Sequence, residues 1–173
     1  MTMPRLSIAL AALLVVAAAP VSGQERRAPL SDHLTFGYED EGKIDASPAG
    51  CEAATKELVE WPEPDMSDAI RQVCGARKRH VDAYAGIQKS YKALVKAIGD
   101  DTRLDSATAV TSLQAMVKAC IDHKSNITNG GHNISTELIP NNIAAGCLTL
   151  GKKMLDEEVA WFGDSENRSL SPP

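Results

Sequence analysis

The sequence predicts an all-α protein: about four helices paired into disulfide-linked antiparallel hairpins, preceded by a signal peptide and an irregular lead-in. Three observations predict it. Apolar side chains recur at helical spacing through residues 47–163, most clearly from Ile70 to Ile98. Four cysteines, Cys51, Cys74, Cys120 and Cys147, stand within those segments. Aromatic residues make up only 4% of the 173 residues, so the core must be aliphatic and alanine-rich, and cross-links would support it. The length fits one domain. An apolar fraction of 43% and a charged fraction of 24% exclude a disordered chain, a collagen-like chain and a coiled-coil rod. A formal net charge of -5 argues against broad nucleic-acid affinity, which needs a concentrated basic surface.

Residues 1–23 read as a secretory signal peptide. Arg5 supplies the positive start, Ile8 to Ala19 is an apolar run, and Val21-Ser22-Gly23 offers small residues for cleavage before Gln24. The run is shorter than the roughly 20 residues that span a bilayer, and no second segment is apolar enough to cross one. Cleavage removes Arg5 alone, leaving 17 basic against 23 acidic side chains, a formal -6. All four cysteines stay in the mature chain. An even count in an exported chain implies disulfides, and four cysteines allow three connectivities.

Residues 24–46 show little periodicity and form the irregular lead-in. The alternative is a strap that docks Leu34, Phe36 and Tyr38 on the core, although a lone strand has no obvious partner here. The helical domain then occupies residues 47–163. Ser47-Pro48 predicts an N-cap followed by proline at the first helical position. Cys51, Ala54, Leu58 and Trp61 share one face of this short helix, and Pro62 and Pro64 end it. Ser67 or Asp65 caps the second helix, whose stripe runs through Ile70, Val73, Arg77, Tyr84, Ile87, Tyr91, Leu94 and Ile98. Gly86 within it costs about 1 kcal/mol relative to alanine and allows a neighbouring helix to approach. Gly99-Asp100-Asp101 ends the stripe. A third helix is expected from about Leu104 to Lys124, with Val110, Leu113, Val117, Cys120 and Ile121 inward. Ser125 to Asn133 reads as a loop, because glycine and asparagine tolerate positive φ. The last helix is expected to start near Pro140. One edge of its stripe is Ile143, Cys147, Leu150 and Met154; the other is Ala144, Leu148, Leu155, Val159 and Phe162. Gly163 stops it, and residues 164–173 are a polar, disordered tail.

Little catalytic chemistry is legible. Cys120 and His123 share a helix face and His132 follows, but oxidation of Cys120 is the better reading than a metal site. Asp156-Glu157-Glu158 reads as surface charge rather than a catalytic pair. No Gly-x-Ser-x-Gly, His-Glu-x-x-His or phosphate-binding loop occurs, and no cofactor is expected. Asn126-Ile127-Thr128, Asn133-Ile134-Ser135 and Asn167-Arg168-Ser169 match the glycosylation acceptor pattern, which stays unmodified in a bacterial host.

The cysteine framework resembles that of the lysozyme-inhibitor LprI N-terminal-domain family, small exported helical proteins of bacteria. Cys51-Glu52-Ala53-Ala54-Thr55 is similar to the family's opening Cys-x-x-Ala-Thr. Ile87-Gln88-Lys89-Ser90-Tyr91-Lys92-Ala93-Leu94 is similar to its Leu-Asn-x-x-Tyr-x-x-Leu. Cys74, Cys120, the Gly130-Gly131 pair and Cys147-Leu148-Thr149 fall where the family has its other cysteines, its glycine pair and its Cys-Leu-Thr segment. Departures are the lengthening Trp61-Pro62-Glu63-Pro64 connector and Ser112 to Lys118, which lacks the family's aromatic residue and Arg-Asp pair. The resemblance implies a non-enzymatic periplasmic or secreted binding protein whose partner is lysozyme or another cell-wall hydrolase. The alternative is a structural or interaction module of the cell envelope with a protein partner.

Lysozyme-type enzymes work with two carboxylates in a cleft, so an inhibitor needs a rigid loop of hydrogen-bond donors. Asn129, Gly130, Gly131, His132 and Asn133 are the expected partner-binding residues, with His132 the donor whose charge would rise below about pH 6.5. The acidic surface favours encounter with a basic enzyme. The expected bridges are Cys51–Cys74 and Cys120–Cys147. Each ties a helix to its neighbour, and the second needs Asn133 to Ile139 to be loop so that the longer return arm can be accommodated.

Overall fold

A computed structural model of the chain describes residues 33–37, 43–58, 66–98, 106–127 and 134–164. The signal peptide, Tyr38, the Trp61–Pro64 connector, the Gly99–Asp101 stop and the tail beyond Asp164 lie outside the described residues. Four helices account for most of the rest: α1 (Pro48–Leu58), α2 (Met66–Ile98), α3 (Ser106–Ile127) and α4 (Ser135–Gly163). The described residues contain no strand.

α1 starts as its sequence dictates. Pro48 is the first helical residue, and the Ser47 hydroxyl accepts a hydrogen bond from Gly50 N at 3.1 Å. Asp45 Oδ1 in turn accepts Ser47 N at 2.8 Å. α2 begins at Met66, so Ser67 lies inside the helix rather than capping it. Its 33 residues make a rod about 50 Å long.

Side-chain pairs fix the helix directions. Gly50 and Cys51 meet Arg77 and Cys74, so α1 runs antiparallel to α2. Cys120 meets Cys147, and Val117 lies against Gly151, so α3 and α4 are antiparallel. Glu137 meets Arg77 while Asp156 meets Ser90, so α2 and α4 run parallel. The four helices therefore alternate up-down-up-down, and α2 against α4 is the most extensive interface. The tightest crossing is at Gly151, where an added Cβ would sit 2.7 Å from Val117 Cγ2 and 2.9 Å from Ile87 Cδ1. Gly86 is looser: its space is bounded by the flexible stem of Lys152 at 3.3 Å.

The expected stripes supply the core. Ile87, Tyr91, Leu94 and Ile98 of α2 join Val110, Leu113 and Val117 of α3 and Cys147, Leu148 and Leu155 of α4. Leu150, expected on the inner edge of α4, is 49% exposed. It stands one position before Gly151, and the helix turn that buries Gly151 rotates Leu150 outward.

Two helix ends differ from expectation. α3 continues to Ile127, so Ser125 to Ile127 are helical rather than loop. Their propensity deficit is only tenths of a kcal/mol per residue, too small to stop an established helix. α4 begins at Ser135, with Pro140 inside it. Proline there removes one early amide donor, while Glu137 N and Leu138 N still bond to Ile134 O at 3.1 and 3.0 Å. The stretch Ser135 to Ile139 is thus helix, not the loop on which the second bridge was expected to depend. The register is met differently: the first turns of α4 pack on α2 through Glu137 and Asn141.

Both bridges form as expected, with Cα–Cα distances of 5.2 Å for Cys51–Cys74 and 5.9 Å for Cys120–Cys147.

Within the lead-in, the described residues 33–37 dock on the core as the alternative reading has it for Leu34 and Phe36. Leu34 and Phe36 are buried at 0% and 3% exposure, inside the main core. Burying each contributes roughly 1.5–3 kcal/mol before ordering costs. The partner of this lone extended segment is a pair of glutamine side chains. Gln88 Oε1 accepts Leu34 N at 3.0 Å, and Gln88 Nε2 donates to Leu34 O. Gln114 Nε2 donates to Thr35 O at 2.6 Å. Gly37, at φ 76°, ends the strap in a conformation that favours glycine.

Candidate functional site

Lys43, Ile44 and Asp45, the residues before α1, line a cleft of about 500 Å³. Arg77 and His80 of α2 and Glu137 and Asn141 of α4 also line it. Ile44, Ile121, Pro140 and Ala144 supply its apolar surface. That volume is in the range of small-ligand and side-chain sites.

Arg77 organises the polar lining. Its Nε donates to Glu137 Oε2 at 2.8 Å and its Nη2 to Glu137 Oε1 at 3.0 Å, a two-pronged pair between side chains only 16% and 24% exposed. Its Nη1 donates to the carbonyls of Asp45 at 3.0 Å and Gly50 at 3.2 Å. One guanidinium thereby joins α2, α4, α1 and the residues before α1. The hydrogen bonds to Glu137 hold Arg77 above its ordinary pKa, against burial. Hydrogen bonds from Ser47, with Arg77 adding attraction, hold the Asp45 carboxyl below its usual range. Gly50 is required where Asp45 folds over α1, since a Cβ there would lie 2.3 Å from Asp45 Cγ.

The chain of bonds continues to His80. Asn141 Nδ2 donates to Glu137 O at 2.8 Å and to Glu137 Oε2 at 3.1 Å. That orients Asn141 Oδ1 toward His80 Nδ1, 2.9 Å away. An amide oxygen accepts only, so Nδ1 carries the hydrogen in this contact. Arg79 adds a more exposed link to Asn142 Oδ1 at 2.9 Å.

The disulfides tie together the helices that carry the lining: Cys74 stands one turn before Arg77 on α2, Cys120 precedes Ile121 on α3, and Cys147 stands one turn after Ala144 on α4.

The sequence-predicted loop, Asn129 to Asn133, lies outside the described residues. It links Ser125 of α3 and Glu137 of α4, two residues that line the cleft. Cys120 is consumed by its bridge, and His123 beside it is exposed. Among the described residues no group of three or more metal-ligating side chains gathers. No helix is long and apolar enough to cross a membrane, among the residues described.

Asp156 and Glu157 are exposed, as expected of surface charge, and Asp156 also makes one bond between helices. It accepts the Ser90 hydroxyl at 2.5 Å, tying α4 to α2, and its bonds from Lys152 and then Ser90 hold it below the carboxylate range. Burial pushes Glu158 up. Sequence reasoning missed Glu137, His80 and Asn141. The signal available was their polarity on helix faces that otherwise point inward. No family model, curated protein or solved structure matches the chain.

Proposed function

We propose that the chain is an exported binding protein that presents this cleft, with the adjoining α3–α4 connection, to a protein partner. The observation that carries the reading is a cleft whose lining is already bonded together from Arg77 to His80, on helices cross-linked by two disulfides. A surface ordered before contact loses less entropy on binding, which is the requirement for an inhibitor or adaptor. The bonded lining also favours binding over turnover, because both Glu137 oxygens hold the guanidinium. The disulfides suit an oxidising compartment, the periplasm or the exterior. The family resemblance names the partner class: lysozyme or a related cell-wall hydrolase, blocked by donors from Asn129 to Asn133.

The test is a pair of lysis assays with the purified, oxidised protein. It should slow lysozyme-driven lysis of cells and cause no lysis alone. A variant with Asn129 to Asn133 changed to serine should lose the effect. Undiminished inhibition by that variant would shift the contact to the cleft. No inhibition by the parent protein would leave the envelope interaction module as the reading, with a different partner.

A further inference from the structure

The polar side chains that line the cleft are already bonded to one another. Lys43 and Arg77 balance Asp45 and Glu137. Both Glu137 oxygens accept from Arg77, and one also accepts from Asn141. Arg77 Nη1 donates to the carbonyls of Asp45 and Gly50. Asp45 accepts Ser47 N, and Asn141 Oδ1 meets His80 Nδ1. A charged group entering here would give up its hydration for counter-charges that are already paired, which is costly. What the lining leaves for an occupant is apolar contact from Ile44, Ile121, Pro140 and Ala144. Ile44 and Ile121 are half-buried and Pro140 is exposed, so an apolar occupant removes their surface from water. Size selects further. An apolar cavity of about 150 Å³ already holds benzene, and this cleft has about 500 Å³. Among the described residues no Phe, Tyr or Trp lines it.

We propose that this cleft takes one uncharged aromatic group and that such a side chain anchors the protein partner. The anchoring role rests on the binding-protein reading above; the chemistry of the cleft does not. An aromatic side chain brings a large apolar area with little rotamer freedom to lose, which suits a site bonded together before contact. An aliphatic side chain leaves more of the volume empty, and lining atoms that face a void forfeit their contacts.

The experiment titrates the purified, oxidised protein with blocked amino acids and follows the methyl resonances of Ile44, Ile121 and Ala144. The probes are N-acetyl-phenylalaninamide and N-acetyl-tryptophanamide, compared with the leucine, lysine and glutamate equivalents. The aromatic probes should shift all three sets of methyls and bind about tenfold or more tightly than the charged ones, the order expected for burying one ring. The leucine probe should fall between. Ala144→Leu should weaken aromatic binding about tenfold by occupying the space. Ser125→Tyr, at an exposed position that lines the cleft, should do the same without touching the core. Two results would overturn the proposal: no shift at these methyls with either aromatic probe, or charged probes that bind as tightly. Aromatic probes that bind the cleft and also relieve inhibition of lysozyme support the anchor. Aromatic probes that bind the cleft of a protein with no effect on lysis uphold the chemistry of the cleft and remove the hydrolase as partner.

Discussion

Single residues in this protein divide sharply by what surrounds them. Gly151 and Gly146 lie five positions apart on α4, one at the three-helix crossing and one with nothing within 4 Å. Gly151→Ala should destabilise by about 1–3 kcal/mol, because Val117 and Ile87 must move. Gly146→Ala should stabilise by up to about 1 kcal/mol through helix propensity alone. Urea unfolding of both variants checks the contrast. The carboxylates of α4 should also separate by pH. Asp156 has a lowered folded pKa, so its contribution is complete above the unfolded value of 3.8 and is lost as pH falls through the lower folded value. Ser90→Ala should reduce that acid-side loss. Glu158 has a raised folded pKa, so the folded state binds more protons and stability falls as pH rises from 4.5 through the folded value. Glu158→Gln should therefore stabilise at pH 7 and be neutral below 4.5, read from melting temperatures across pH. Of these residues the sequence announced little: Gly151 looks like any helix glycine until Val117 is placed against it.

At the scale of elements, the legible features were local and the illegible ones were not. Ser47-Pro48 declared the start of α1 because cap and helix are adjacent in the chain. The strap's partners were hidden because Gln88 and Gln114 stand 54 and 79 positions from the residues they hold. Pro140 misplaced the start of α4, since proline is read as a boundary. What holds that first turn is Arg77, 60 residues away. Glu137→Ala should cost about 1–3 kcal/mol, since it leaves a half-buried guanidinium short of its acceptor. Arg77→Met with Glu137→Met should recover part of that loss, because no unpaired charge remains. Replacing Cys120 and Cys147 together by serine should cost about 2–4 kcal/mol. Partner binding should fall further than helix content does, comparing titration with circular dichroism.

At the scale of the molecule, fold class and helix count were readable, since stripe and cap pointed the same way; cysteine count alone left three connectivities open, and the expected pairing is the one that forms. The cleft was not readable, because its lining comes from the residues before α1 and from three helices whose relative rotation no local pattern specifies. Export is the prediction that belongs here. The native protein should have a mass corresponding to a chain beginning near Gln24; retention of Met1 would refute cleavage.

The two bridges join consecutive cysteines, first to second and third to fourth. A chain that emerges N-terminus first presents Cys51, then Cys74, to an oxidant before Cys120 has appeared. Each native bond is then the first one available, and no later cysteine has to displace an earlier partner. The order of emergence does the work of a shuffling catalyst. Oxidative refolding of the full-length reduced chain, in which all four thiols compete at once, should accordingly be slower and more dependent on thiol exchange than folding during synthesis.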